Sequence, residues 1–85
     1  MEWYRLAAEQ GYASAQFNLG LKYHKGQGVI QDNVYAHMWG NIAASNGHKK
    51  GGKLQEIAAK QMTPFQLEKA DELARECVRK KYKDC

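Results

Sequence analysis

The segments that decide the fold are WYRLAAEQG at residues 3–11 and WGNIAASNG at residues 39–47. Placed one above the other without a gap, they share the tryptophan, the Ala-Ala pair and the final glycine. The offset of 36 residues, from Trp3 to Trp39, is typical of solenoids built from pairs of antiparallel helices. We therefore expect an all-α protein in which each of these segments forms a helix that ends at its glycine.

The composition agrees with helices along the whole chain. The 85 residues include a single proline, Pro64, and 44% of them are hydrophobic, as in globular domains. Alanine, leucine, lysine, glutamate and glutamine are good helix formers, and the scarcity of β-branched residues argues against a sheet. A chain of this length forms one domain at most. We expect an antiparallel helix-pair solenoid of about five helices.

One helix pair is predicted between the two segments. Its helices span residues 13–24 and 33–46, because apolar residues recur there with helical spacing. Small residues allow the two helices to approach closely, and large neighbours fill the gaps beside the crossing. The predicted packing residues are Ala15, Leu19, Gly20, Tyr23, Ala36, Trp39, Ala43 and Ala44. The predicted turn and cap residues are Gly26, Gly28, Asp32 and Gly47.

The pattern degenerates after residue 47 and then recovers. A helix is predicted over residues 49–61, with a first turn weakened by Gly51 and Gly52, since each glycine costs about 1 kcal/mol in a helix. Thr63 as N-cap, followed by Pro64 and a glutamine, predicts the start of a last helix that ends near residue 79 or 80. The predicted inner face of that helix comprises Leu67, Ala70, Leu73, Ala74, Cys77 and Val78.

The spacing of residues 13–47 resembles that of a known family. The positions that carry the resemblance are Ala13, Ala15, Leu19, Gly20, Tyr23, Gly26, Gly28, Val29, Asp32, Tyr35, Ala36, Trp39, Ala43, Ala44 and Gly47. Together they resemble a Sel1-like repeat, a relative of the tetratricopeptide repeat. Ile30 stands where that family usually has proline. The resemblance implies three parts: residues 1–11 as the second helix of a preceding repeat, 12–47 as a complete repeat, and 48–85 as a degenerate repeat with a capping helix.

The resemblance also implies the function of a protein–protein interaction module, an adaptor or scaffold of a bacterial protein. Ligands of the family tend to lie on the face formed by the first helices of each pair. We expect that face to include Tyr12, Gln16, Asn18 and Lys22, whose aromatic, amide and basic groups suit a peptide. The partner is then a protein or peptide of unknown identity, and no cofactor is expected.

The first helix is expected to have an open edge. Trp3, Leu6 and Ala7 can pack against the following helix, but their other side faces water unless something covers it. Exposed apolar surface of this kind indicates a missing repeat, a homo-oligomer or a bound partner.

Two alternative functions remain to be considered. One follows from a cysteine-rich branch of the Sel1-like family, and the other from the net charge of the chain. Some of those relatives bind or hydrolyse β-lactams, but Ser14 and Ser45 lie in predicted helices without a nucleophile motif, so we expect no enzyme. The three histidines lack the spacing of metal ligands. The net charge of +4 and the lysines near residues 49–53 and 79–83 allow a nucleic-acid-binding module, although no base-reading motif is present.

Cys77 and Cys85 are eight residues apart. On one continuous helix they would be about 12 Å apart, too far for a disulfide. They can bridge only if the helix ends near residue 80 and the tail turns back; the alternative is a buried Cys77 and a free Cys85. The pair resembles the bridges of the secreted, cysteine-rich branch of the family. The sequence predicts no membrane span and no signal peptide. We expect the protein to be cytoplasmic if this is the full chain, and periplasmic or secreted if it is a fragment with this disulfide.

Overall fold

A computed structural model describes residues 2–83 and 85, which form five α-helices. Their bounds are Glu2–Glu9 for α1, Ala13–Lys25 for α2, Asn33–Ser45 for α3, Gly51–Ala59 for α4 and Pro64–Arg79 for α5. The predicted all-helical solenoid is confirmed, since the described residues contain no strand. None of the described helices is long and apolar enough to cross a membrane.

Side chains and glycines fix the ends of these helices. The Asp32 carboxylate accepts hydrogen bonds from the two amides that open α3, at 2.9 and 3.3 Å. At the start of α5, the amide of Gln66 donates to the Thr63 hydroxyl, and the Thr63 amide donates back to the Gln66 side chain. Gly26 and Gly28 have φ angles of 70° and 78° in the turn after α2. These contacts satisfy backbone groups that helix ends leave unpaired.

Helix α3 lies at the centre of the molecule, packed against α2, α4 and α5. Trp39 and Ile42 on α3 are 2% and 1% exposed. The core cluster draws on four helices and comprises Ala8, Ala15, Leu19, Met38, Trp39, Ile42, Ala74 and Cys77. Most of the core-cluster residues outside α3 are alanines. The helix axes therefore approach closely, and the large α3 side chains fill the space between them.

The crossing of α3 and α4 depends on the absence of a side chain at Gly51. A Cβ atom on Gly51 would lie 2.6 Å from the Ala44 nitrogen and 2.6 Å from the Gly40 carbonyl oxygen. Gly51 is buried at the first residue of α4, so it has a packing role in addition to its predicted effect on the first turn of this helix. The two backbones approach so closely that a side chain has no room.

Two predicted core positions are corrected by the structure. The methyl group of Ala44 is exposed, because its backbone rather than its side chain forms the crossing with α4. Val78 is 50% exposed near the end of α5.

Candidate functional site

An apolar groove lies between α2 and α4. It is lined by Phe17, Leu21, Lys50, Lys53, Leu54 and Ile57 and has a volume of about 170 Å³. The surface that it exposes is apolar, although two of its lining residues are lysines. An enclosed apolar cavity of about 150 Å³ can hold a benzene ring, so this groove has room for one large side chain of a partner.

Helical spacing places these side chains along the groove. Phe17 and Leu21 are four residues apart on α2, and Leu54 and Ile57 are three apart on α4, so each pair shares one side of its helix. A Cβ atom on Gly20 would lie 2.8 Å from the Leu54 side chain. Because Gly20 has no side chain, α2 and α4 can approach each other closely.

The mouth of the groove is held by a ring contact. Phe17 stacks on His48, with ring centroids 4.4 Å apart and planes 10° apart. His48 lies in the loop that precedes α4, and its imidazole also accepts a hydrogen bond from the Lys50 amide at 3.2 Å. These contacts tie the loop to α2, so the position of the first lysine of the groove is fixed by local structure.

The four residues predicted to face a peptide do not form one surface. Gln16 and Asn18 are two residues apart on α2 and therefore point in nearly opposite directions. Gln16 is fully buried, which overturns its assignment to a binding face. Asn18 donates to the Ser14 carbonyl of its own helix. The Lys22 ammonium lies 5.0 Å from the centre of the Tyr4 ring. Tyr12, at the N-cap of α2, is 65% exposed.

Gln16 instead belongs to a hydrogen-bonded chain that joins three helices and the C-terminal tail. Its amide nitrogen donates to the Ala8 carbonyl at 3.0 Å, and its amide oxygen accepts from Asn46 at 2.8 Å. The Asn46 oxygen in turn accepts from the Tyr82 hydroxyl at 3.3 Å. A buried amide needs such partners, which is the physical reason that Gln16 faces inward.

The tail turns back across the start of the chain. Lys81 and Tyr82 have φ angles of 56° and 68°, which reverse the chain after α5. Cys77 and Cys85 then meet in a disulfide with their Cα atoms 5.6 Å apart. The Tyr82 ring lies against Gly11, 3.5 Å from where a Cβ would be. No sequence motif indicated this position for Tyr82, because the contact joins residues at opposite ends of the chain.

The edge formed by α1 presents apolar side chains to solvent. Trp3 is 83% exposed, Leu6 55% and Tyr4 38%. Ala7 is partly buried against the core cluster. The expected open edge is therefore present, and Trp3 and Leu6 are its most exposed side chains.

One histidine is buried next to the last helix. His37 is 7% exposed, and within the described residues its Nδ1 atom has no hydrogen-bond partner. Burial lowers the pKa of His37, and the Asp71 carboxylate partly opposes that shift. In the described part of the chain, no group of three His, Cys, Asp or Glu residues could hold a metal ion.

Sequence reasoning missed part of the groove and had signals for the rest. Leu54 and Ile57 have the three-residue spacing of an apolar helix face, yet Ile57 is 45% exposed. Leu21 follows Phe17 by one helical turn, outside the small-residue stripe of α2, and this was a usable signal for a second apolar side. The two lysines carried no signal beyond their charge, because only the packing of α4 on α3 places them at the groove.

The comparison with protein families agrees with this architecture. The profile of the Sel1 repeat matches residues 1–12 and 13–48, which contain α1, α2 and α3. A search of curated proteins gives no match. Because the profile covers more than half of the 85 residues and the helices have the arrangement of a tetratricopeptide-like solenoid, the chain belongs to the Sel1 repeat family.

Proposed function

We propose that this chain is a protein-interaction module that acts as an adaptor or scaffold by holding a peptide segment of its partner in the groove between α2 and α4. Sel1 repeats are generally modules for protein–protein interaction. The observation that carries the proposal is an apolar groove of about 170 Å³ that opens to solvent between two helices. Apolar grooves with a few polar groups at the rim suit peptides whose anchor side chain becomes buried on binding.

We also propose a separate role for each of three parts of the chain. Residues 1–11 supply the second helix of one repeat, residues 12–47 a complete repeat, and residues 48–85 a degenerate repeat with a capping helix. In this arrangement α4 provides one wall of the groove, and α5 packs on α3 and covers the core from the other side. The exposed charged residues of α5 suit a capping helix, whose outer face meets water.

Selection from a random peptide library, followed by substitution in the groove, tests this function. We expect the enriched peptides to bind the unmodified chain and to bind Leu21→Glu at least about tenfold more weakly, since a buried carboxylate would meet the anchor side chain. Tyr12→Ala is the matched control, because Tyr12 is exposed on α2 but lies outside the groove. Circular dichroism checks that both variants remain folded. Failure to enrich any peptide, or equal binding to both variants, would contradict the proposal.

A further inference from the structure

The two helices that form the groove carry an excess of positive charge. Helix α2 contains lysines and no acidic residue. Residues 48–61 contain four lysines and one acidic residue, Glu56. Lys50 and Lys53 line the groove, and within the described residues neither forms an ion pair. By contrast, α5 carries four acidic residues at positions 68, 71, 72 and 76. The groove therefore combines an apolar floor with cations that lack a counter-charge.

We propose that the partner segment held in this groove is acidic, with one large apolar side chain that inserts between α2 and α4 and carboxylates that contact Lys50 and Lys53. The inference rests on the proposed peptide-binding function and specifies its ligand. The apolar side chain would contact Phe17 and Leu21 on one wall and Leu54 on the other. Carboxylates within one turn of that anchor would gain the attraction of the two lysines that line the groove.

The lining distinguishes an acidic peptide from a nucleic acid. A nucleic acid would need cations spaced along a backbone and exposed aromatic rings on which bases can stack. In this groove the only aromatic ring among the lining residues, Phe17, is stacked on His48 and has one face covered. The exposed surface between the lysines is apolar, which matches the side chain of a peptide better than a phosphate.

The test uses four synthetic peptides of equal length. Three carry one central phenylalanine flanked by glutamate, glutamine or lysine, and the fourth has glutamate flanks and alanine at the centre. Binding to the full chain is measured by fluorescence anisotropy, and the contacted residues by amide chemical shifts. We expect the glutamate–phenylalanine peptide to bind about fivefold to tenfold more tightly than the glutamine peptide, and the advantage to shrink with added salt. The alanine peptide should bind at least about tenfold more weakly, because it lacks the anchor.

Charge reversal in the groove gives the sharper result. The double variant Lys50→Glu and Lys53→Glu should bind the lysine peptide in preference to the glutamate peptide. The matched control, Lys69→Glu with Lys83→Glu, makes the same change in net charge at exposed positions outside the groove and should keep the preference for glutamate.

Four outcomes would overturn the inference. Equal binding of the glutamate and glutamine peptides at the groove residues would remove the acidic requirement while leaving the peptide-binding function in place. Shifts outside the groove for every peptide would remove both. A short single-stranded DNA that displaces the acidic peptide from the unmodified chain, but does not bind the groove double variant, would identify a nucleic-acid site instead. A concentration-dependent dimer that Phe65→Ala abolishes would identify the exposed start of α5 in a second copy as the occupant, since Phe65 is 73% exposed and Glu68 follows it.

Discussion

Trp3 and Trp39 begin the same nine-residue motif on α1 and α3, yet Trp3 is 83% exposed and Trp39 is 2% exposed. Leu6 and Ile42, at equivalent positions, are 55% and 1% exposed. The two motifs also end alike, in glycines with φ angles of 91° and 98°. The motif therefore forms the same helix twice, and the burial of that helix depends on its neighbours.

At one pair of equivalent positions the difference in burial is reversed. Ala8 of α1 is fully buried, whereas its equivalent, Ala44 of α3, is exposed. Ala8 lies in the core cluster, on the helix that packs against α2, and its carbonyl accepts a hydrogen bond from the buried Gln16 side chain. Each copy of the motif is therefore buried according to the helices that pack on it: α2 for the first copy, and α2, α4 and α5 for the second.

The largest effect is expected from the two tryptophans. Trp39→Ala should lower the free energy of unfolding by about 3–5 kcal/mol, because it leaves a cavity in the core cluster. Trp3→Ala should change it by less than about 0.5 kcal/mol, since most of that side chain is already in water. Urea denaturation of both variants measures the difference. Similar losses for the two would show that α1 is covered in solution and that the contrast between the motifs is false.

The crossings beside the two motifs offer the second test. Ala15 packs on α1 and Gly51 occupies the equivalent position against α3, where a Cβ would lie 2.6 Å from backbone atoms. Gly51→Ala should destabilise the chain by about 2 kcal/mol or more, as overpacking forces the helices apart. The neighbouring Gly52 has open space around it, so Gly52→Ala is the control and should be neutral or stabilising by about 0.5 kcal/mol. Thermal unfolding of the pair decides the matter, and a harmless Gly51→Ala would show that α3 and α4 are farther apart.

The third test removes the tail that covers Gly11 but has no counterpart at Gly47. Cys85→Ser should lower stability by about 2 kcal/mol, because the disulfide no longer limits the unfolded chain. Amide signals of Gly11 should shift as the Tyr82 ring leaves, while those of Gly52 in α4, which has no atom of another segment within 4 Å of its Cβ position, should stay. Reductant should reproduce both changes in the unmodified chain and add nothing to Cys85→Ser; any further effect would mean that the tail is not held by this disulfide.

The smallest effect concerns pH. The folded-state pKa of His37 is below its unfolded value of about 6.5, so the unfolded chain takes up a proton first as the pH falls. The contribution of neutral His37 is complete above pH 6.5, and stability should decrease below it by at most about 1.4 kcal/mol per pH unit. His37→Gln should flatten this decrease in thermal unfolding scans from pH 7.5 to 5. Asp71→Asn should steepen it, because the carboxylate that raises the pKa is gone. A decrease unchanged in both variants would assign the pH dependence to other groups.

Much of the fold could be predicted because it depends on local rules. Asp32 caps a helix through amides two and three residues ahead of it, and Thr63 does so with a glutamine three residues away. Such signals lie within a few positions of each other in the sequence. The groove was harder to predict: α4 contributes Lys50, Lys53 and Leu54, and their position depends on how closely α4 approaches α3. Gln16 was assigned to the wrong surface because its partners, Ala8 and Asn46, are distant in sequence.

The sequence by itself determined five helices, their capped ends, the 36-residue repeat and the family, because helix propensity, capping and periodicity act over a few residues. Only the tertiary structure decided which copy of the motif is buried. It also decided that Gly51 lies against the backbone of α3 and that Lys50 and Lys53 line an apolar groove. These features arise from contacts between helices that are far apart in the chain. A side chain is buried only when another segment displaces the water around it, and the motif does not encode that segment.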